Sequence, residues 1–301
     1  MSISVVMIIK PHSLSLTQFE HLGVRFFTRT VARILAKPTG IFGVVVLVML
    51  LFLAAFAPVI APHDPLEIGA DVPLSAPSLT HPFGTDDLGR DLLSRVIYGS
   101  RISLFVSVVS ALVAIFVAVP LGMAAGYFGG NVDALIMRFF DTIFAFPAVL
   151  IGIALAAAFG AGLNIVVAAV AIINIPSLGR LARVAVLSHL DLDFVLAGRA
   201  LGASEARLMT CHILPNIVSS LIVQTVVLMA GAVLLEAGFS FLGIGVRPPA
   251  PSWGTLLDNG RSFMAQAPWL GFFPGLAITL MVLGLNALEE ALRFALSPQS
   301  L

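Results

Sequence analysis

Ionisable side chains divide the chain into five long uncharged runs: residues 38–62, 102–132, 142–179, 213–235 and 262–288. A helix that crosses a bilayer needs about 20 mostly apolar residues, and each run is long enough. The run 142–179 holds 38 residues. At about 1.5 Å per residue, one helix of that length would rise about 57 Å. A hydrocarbon core is only about 30 Å thick. The cluster Gly160-Ala161-Gly162-Leu163-Asn164 has turn character and divides the run in two. The pattern therefore predicts six membrane helices and an all-α membrane protein.

Composition agrees. Of 301 residues, 59% are hydrophobic and 11% charged, and the mean hydropathy is +1.05. A soluble domain carries about 25% charged residues, so this chain lacks the polar surface of a soluble enzyme of its size. Sixteen basic residues cancel sixteen acidic ones, which leaves no global field for nucleic acid. The single cysteine, Cys211, excludes an internal disulfide and a cysteine-based metal site.

Lys/Arg placement sets the expected orientation. The segment before the first span holds Lys10, Arg25, Arg29, Arg33 and Lys37 against Glu20 alone. The next connection, about residues 62–101, is acidic on balance. Alternate segments carry eleven basic residues on one side and five on the other. This predicts that both termini lie in the cytoplasm. Met1 to Ile9 lacks a basic leading region and is followed by Lys10-Pro11, so it does not read as a cleaved signal peptide.

Several chemistries have no residues to run them. A phosphate-binding loop needs Lys-Ser or Lys-Thr after a glycine-rich turn. The only lysines, Lys10 and Lys37, each precede a proline. The patterns HExxH and GxSxG are absent. An ion-driven carrier would place charges mid-membrane, and an intramembrane enzyme would pair catalytic groups there. Only Glu236 falls within a nominal span, near the outer end of the fifth. It can form a structural hydrogen bond, touch a substrate or guard a gate. The six histidines at 12, 21, 63, 81, 189 and 212 are scattered outside the spans, so no metal site is expected within a conduit.

The connection between the fourth and fifth spans reads in detail. Asp193 is placed to cap a short helix, and Gly202 to end it in a left-handed conformation. Ser204 is placed to cap a second helix running to Ile213-Leu214-Pro215. Ala197, Gly198, Ala200, Gly202 and Ala203 are small enough for another protein to approach the backbone. A plain interfacial loop is the alternative.

The stretch Ala197 to Pro215, AGRALGASEARLMTCHILP, resembles the EAA loop of bacterial ABC-importer permeases, with Gly202, Leu214 and Pro215 in register. Leu196 stands where that pattern has Glu, Gly198 where it has its second Ala, and His212 where it has Ile. Four further segments resemble the C-type permeases of dipeptide, oligopeptide and nickel importers. They are His81 to Arg101, Gly126 to Gly130 with Asp133, Arg138 to Pro147, and Glu236 to Trp253. Together the matches cover about residues 35–295.

This resemblance implies a type I importer permease fold in the bacterial cytoplasmic membrane, moving a small solute inward by alternating access. Di- or oligopeptides are the expected cargo, with a nickel complex, glutathione or haem as related alternatives. The implied partners are a second, B-type permease, two ATP-binding subunits, an extracytoplasmic solute-binding protein and the lipid bilayer. The chain itself is expected to bind no cofactor, ATP–Mg residing on the partner subunits. The ATPase-coupling residues would be Asp193, Ala197, Gly198, Arg199, Ala200, Leu201, Gly202, Ala203, Ser204, Leu214 and Pro215. The expected divisions are a cytoplasmic segment 1–36, a first span with an extracytoplasmic segment 37–100, a five-helix core 101–293 with its coupling loop at about 189–214, and a tail 294–301.

The same segments carry local expectations. Leu88, Leu92, Leu93, Val96 and Ile97 share a helical face, and Asp86–Arg90 and Asp91–Arg95 are i,i+4 pairs. They predict an amphipathic helix over 85–101 at the outer interface, serving as scaffold or as a contact for a binding protein. Gly122 and Gly126 suit close helix packing. Asp133, Arg138 and Asp141 are expected to pair at a cytoplasmic end. Trp253 is expected at a membrane interface, in a rigid outer loop from Arg247 to Gly254.

Overall fold

The computed structural model describes residues 28–297; the call on Met1–Ile9, most of the segment 1–36 and the second half of the tail 294–301 lie outside them. Five helices are long and apolar enough to cross a bilayer. Helix α1 is Pro38–Ala55, with proline in its first turn where a missing N–H costs nothing. Helix α2 is Leu92–Phe128 and helix α5 is Leu163–Leu187. Helix α7 is Leu214–Phe241 and helix α9 is Trp269–Leu296.

The third expected span is built differently. Helix α3 is Gly130–Ala145 and helix α4 is Ala148–Phe159. They pass the length and hydropathy test only as a pair, bent by 88°. The break falls at Phe146-Pro147. Proline disfavours the helical region for the residue before it, and Phe146 is extended at φ −92°, ψ 132°. Helix α4 alone, at 12 residues, rises about 18 Å and cannot span a bilayer. Counting the bent pair once gives six passes. The divide at Gly160 and Gly162 stands where the sequence places it.

Helix α2 is 37 residues long. Residues 92–101 form its first turns and not a separate interfacial helix. Gly84 and Gly89 adopt φ +77° and +72°, which break helix before Asp91. Asp91 then caps α2 by accepting from the Ser94 N–H at 2.8 Å. The pair Asp86–Arg90 forms at 2.7 Å, but in a loop. Asp91 does not pair with Arg95, because its two oxygens face the Ser94 N–H and the His81 ring. Arg95 turns instead to Asp86 at 3.4 Å and to the Pro65 carbonyl at 2.7 Å.

Helix α2 runs through the centre and packs most extensively on α5. A side chain on Gly122 would meet the Gly179 carbonyl oxygen at 2.2 Å, and one on Gly126 the Arg183 carbonyl at 2.7 Å. The small-residue pair is thus a packing device within the subunit. Helix α1 lies against α9, and their far ends are tied to residues 28–37. There Arg33 donates to the Ala295 carbonyl at 3.2 Å, and the Lys37 ammonium stands 4.0 Å above the Phe294 ring.

The molecule therefore has two ends. One, the cap, holds residues 56–91, the turn 160–162 and residues 242–268, including helix α8 (Trp253–Arg261). The other, called the coupling end after the role the resemblance leads one to expect there, holds the α2–α3 turn and residues 188–213, including helix α6 (Asp193–Ala200). Trp253 is 1% exposed and is not an interfacial residue. A Ser252–Thr255 capping box starts α8 at Trp253, whose indole N–H donates to the Val96 carbonyl at 2.9 Å. Gly99 leaves room for the ring, since a side chain there would lie 2.8 Å from it.

Candidate functional site

At the coupling end, α6 is eight residues long. Its N-cap is Leu192; Asp193 is the first helical residue and makes no side-chain cap hydrogen bond. Its charge still lies favourably at the positive helix end. Gly202 does end the unit, at φ +76°. The Gly202 N–H donates to the Arg199 carbonyl at 3.0 Å and the Ala203 N–H to that of Gly198 at 3.1 Å, which closes the helix with a left-handed cap. Ser204 caps the next turn, accepting from the Arg207 N–H at 3.4 Å.

That turn does not stop at Leu214-Pro215. It widens into a π-helical segment, Leu208–Ile213, and continues directly into α7. A proline near a helix start has no N–H to offer the preceding turn, and the wider turn runs up to that position. The chain is thus helical without interruption from Glu205 to Phe241.

The inner face of α6 is sealed. Val195 is fully buried, and Gly198 sits so close to Leu208 that a side chain would meet its Cδ2 at 2.8 Å. Gly198 is small for packing inside the chain. Outward stand Leu196 and Leu201, 45% and 87% exposed. Asp193, Ala197, Arg199, Ala200, Gly202, Ser204 and Pro215 are exposed as well, and Ala203 and Leu214 are half-buried. A helix this short is not stable on its own. It persists because Val195 and Gly198 lock it to the segment that leads into α7.

Two ties link this end to other helices. The Tyr127 hydroxyl, in the last turn of α2, donates to the Glu205 carboxylate. Arg199 donates to the same hydroxyl at 3.4 Å. On α5, Arg183 makes a two-pronged pair with Asp133 at 2.5 Å, and Arg180 donates to Asp141 at 2.6 Å. Asp133 and Asp141 therefore pair with α5 and not with Arg138, since one helix cannot turn all three side chains onto each other. Tyr127 was legible only as part of the Gly126–Gly130 segment; its partners are about 72 to 78 residues away.

Glu236 is fully buried. It accepts from Ser103 Oγ of α2 at 2.9 Å and from Ser240 Oγ of its own helix at 2.8 Å. Ser103 belongs to a buried stripe on α2 with Ser100, Ser107 and Ser110, and Ser107 donates to the Met229 carbonyl at 3.1 Å. The three- and four-residue spacing of these serines marks the face of α2 that meets α7.

Comparison with known proteins places this geometry. Residues 118–299 match the family described as binding-protein-dependent transport system inner membrane component. Residues 25–77 match the N-terminal transmembrane domain of oligopeptide transport permease C. The dipeptide transport system permease protein DppC of Alkalihalophilus pseudofirmus is 40% identical over 260 residues, 86% of each chain. The di/tripeptide transport system permease protein DppC of Pseudomonas aeruginosa is 41% identical over 263 residues, 85% of this chain and 87% of its own. The glutathione transport system permease protein GsiD of Pectobacterium atrosepticum is 39% identical over 275 residues, 91% of this chain and 90% of its own. With its membrane-long helices, and matched over most of its length, the chain belongs to the binding-protein-dependent inner-membrane permeases, on their C-type branch.

Proposed function

We propose that this chain is one half of a two-permease conduit that carries di- or oligopeptides into the cell, driven by ATP hydrolysed on separate subunits. Its partners are a B-type permease, two ATP-binding subunits and a solute-binding protein outside. The coupling end faces the cytoplasm and the cap faces outward, as the Lys/Arg asymmetry favours. The chain lacks a phosphate-binding lysine of its own, so ATP–Mg sits on the partners.

The observation that carries this reading is α6. It offers Leu196 and Leu201 to solvent while its inner face is locked to a helix that continues into α7. Apolar side chains held outward on a fixed stub suit docking into a groove of another protein. A push on α6 passes to α7 through Leu208, and to α2 through Arg199, Glu205 and Tyr127. Closure of the ATPase pair thus reaches the helices that surround the path, which is the requirement for alternating access. Glu236 serves as a tie between α2 and α7 in this scheme, moving with them as one body.

The test is reconstitution with the partner subunits in proteoliposomes. Leu201→Glu should leave folding unchanged, since the side chain is 87% exposed. It should lower peptide uptake and peptide-stimulated ATP hydrolysis at least about tenfold, the effect of losing about 1.4 kcal/mol at a docking hot spot. Uptake by this chain alone, or full coupling in the variant, would sink the proposal.

A further inference from the structure

At the cap, the fold gathers three residues that sequence spacing leaves apart. The His63 and His81 rings stack with centroids 4.5 Å apart and planes at 29°. Asp91, fully buried, lies against both. One ligand atom from each of the three falls within 4.8 Å of the others. We propose that His63, His81 and Asp91 bind a divalent first-row metal ion, with Zn²⁺ the best match.

The donor set supports this. Two imidazole nitrogens and one carboxylate oxygen, with a fourth position open, suit tetrahedral Zn²⁺. Bonds of about 2.0–2.2 Å in that geometry put neighbouring donor atoms about 3.3–3.6 Å apart. His63 Nδ1 stands 3.8 Å from Asp91 Oδ2, and His81 Nδ1 stands 2.9 Å from Asp91 Oδ1. These separations, one to each oxygen of the carboxylate, lie on either side of the required value, and either oxygen can turn toward the ion. Small rotations of the rings would seat an ion, and the side chain of His63, 32% exposed, has room to turn.

A second observation points the same way. His63 Nδ1 is buried and has no hydrogen-bond partner. A buried polar atom without a partner is costly, and 3.8 Å is too long for a hydrogen bond to Asp91. An ion between them would satisfy both.

The surroundings hold the donors in place. The His63 backbone N–H donates to Ser94 Oγ at 3.1 Å, and the Ser94 N–H donates to Asp91 Oδ2 at 2.8 Å. His81 Nε2 stands 3.6 Å from Asp71 Oδ2. With Nδ1 on a metal, that carboxylate would orient the ring from behind, the usual supporting partner of a ligating histidine. His63 also lines a pocket of about 610 Å³ with Pro62, Tyr98 and Pro251. The ion would pin the segment after α1 to the start of α2. It would replace the hydrogen bond between His81 Nδ1 and Asp91, with the ring proton held on Nε2 toward Asp71.

The test uses the intact chain, purified in detergent, stripped with chelator and titrated with Co²⁺ as a spectroscopic probe. Wild type should bind one Co²⁺ with the visible absorption of a tetrahedral site, displaced by Zn²⁺. His63→Ala and His63→Gln should each weaken binding at least about 100-fold while eluting as folded protein. His12→Ala with His21→Ala should keep the signal and so exclude binding by the N-terminal histidines. Zn²⁺ should raise the thermal midpoint of wild type and not of the His63 variants. No stoichiometric binding in wild type, or a loss under tenfold in both His63 variants, overturns the proposal.

Discussion

The cap and the coupling end are made from the same chain and handle charge in opposite ways. At the cap, His81, Asp86, Arg90, Asp91 and Arg95 are all buried and answered by one another. On α3 and α5, which lead to the coupling end, Asp141 and Arg180 pair at 66% and 42% exposure, and beyond α6 Leu201 stands 87% exposed. Buried charges demand partners with fixed geometry, because desolvation is otherwise uncompensated. Exposed pairs demand little and contribute little. The buried charges of the cap are thus answered within this subunit. At the other end the charged pair stays open to solvent, and Leu196 and Leu201 stand outward.

Three substitutions can break or sharpen that contrast. The largest effect belongs to Asp86→Ala. Its carboxylate accepts from the Leu88 and Arg90 N–H groups and from Arg90 Nε, and it faces Arg95. Removal leaves two buried guanidinium groups short of their counter-charge. The expected loss is about 3–5 kcal/mol, read as a large drop in the thermal midpoint in detergent. An unchanged midpoint would mean that water reaches the cap freely.

Glu236→Ala should cost less, about 1–3 kcal/mol, because two serine hydroxyls lose an acceptor and a small cavity opens. Unfolding measurements would read it directly. If the midpoint stays level while uptake collapses, Glu236 acts in the transport path and the tie is the wrong assignment. The smallest effect belongs to Asp141→Asn. An exposed pair of this kind is worth under about 1 kcal/mol and is screened by salt. Its midpoint should lie close to that of wild type, and any gap should close as ionic strength rises; a large drop that persists at high salt would show that the pair is less open than described.

Much of this fold was legible because a bilayer makes length and apolarity decisive. The uncharged runs located the long helices, and Gly160 to Asn164 marked a true divide. What failed were features set by packing. The alternation around Leu88 to Ile97 suggested a surface helix, yet Leu92, Val96 and Ile97 are buried from several sides at the head of α2. Trp253 carried an interfacial preference that the hole beside Gly99 overrode. The break at Phe146-Pro147 went unread, since the pattern divided the run 142–179 only at Gly160 to Asn164, and an 88° bend is a three-dimensional quantity that no spacing encodes. At the coupling loop, Gly202 and Ser204 act as read, since caps depend on local chemistry. Asp193 missed its cap by one position. The meeting of His63 with His81 was invisible because it depends on how a loop folds back over the start of a helix.

The π segment at Leu208–Ile213 has one more consequence. A π turn holds one residue more than the α turn it replaces. It therefore sets the phase between α6 and α7, since one residue advances an α-helix by about 100°. Winding the same residues as α-helix would turn the face bearing Leu201 about a quarter-turn away, with every side chain on it intact. Deleting one residue at the same time would restore the phase. The width of that one turn, as much as the side chains of α6, thus fixes which way the stub faces.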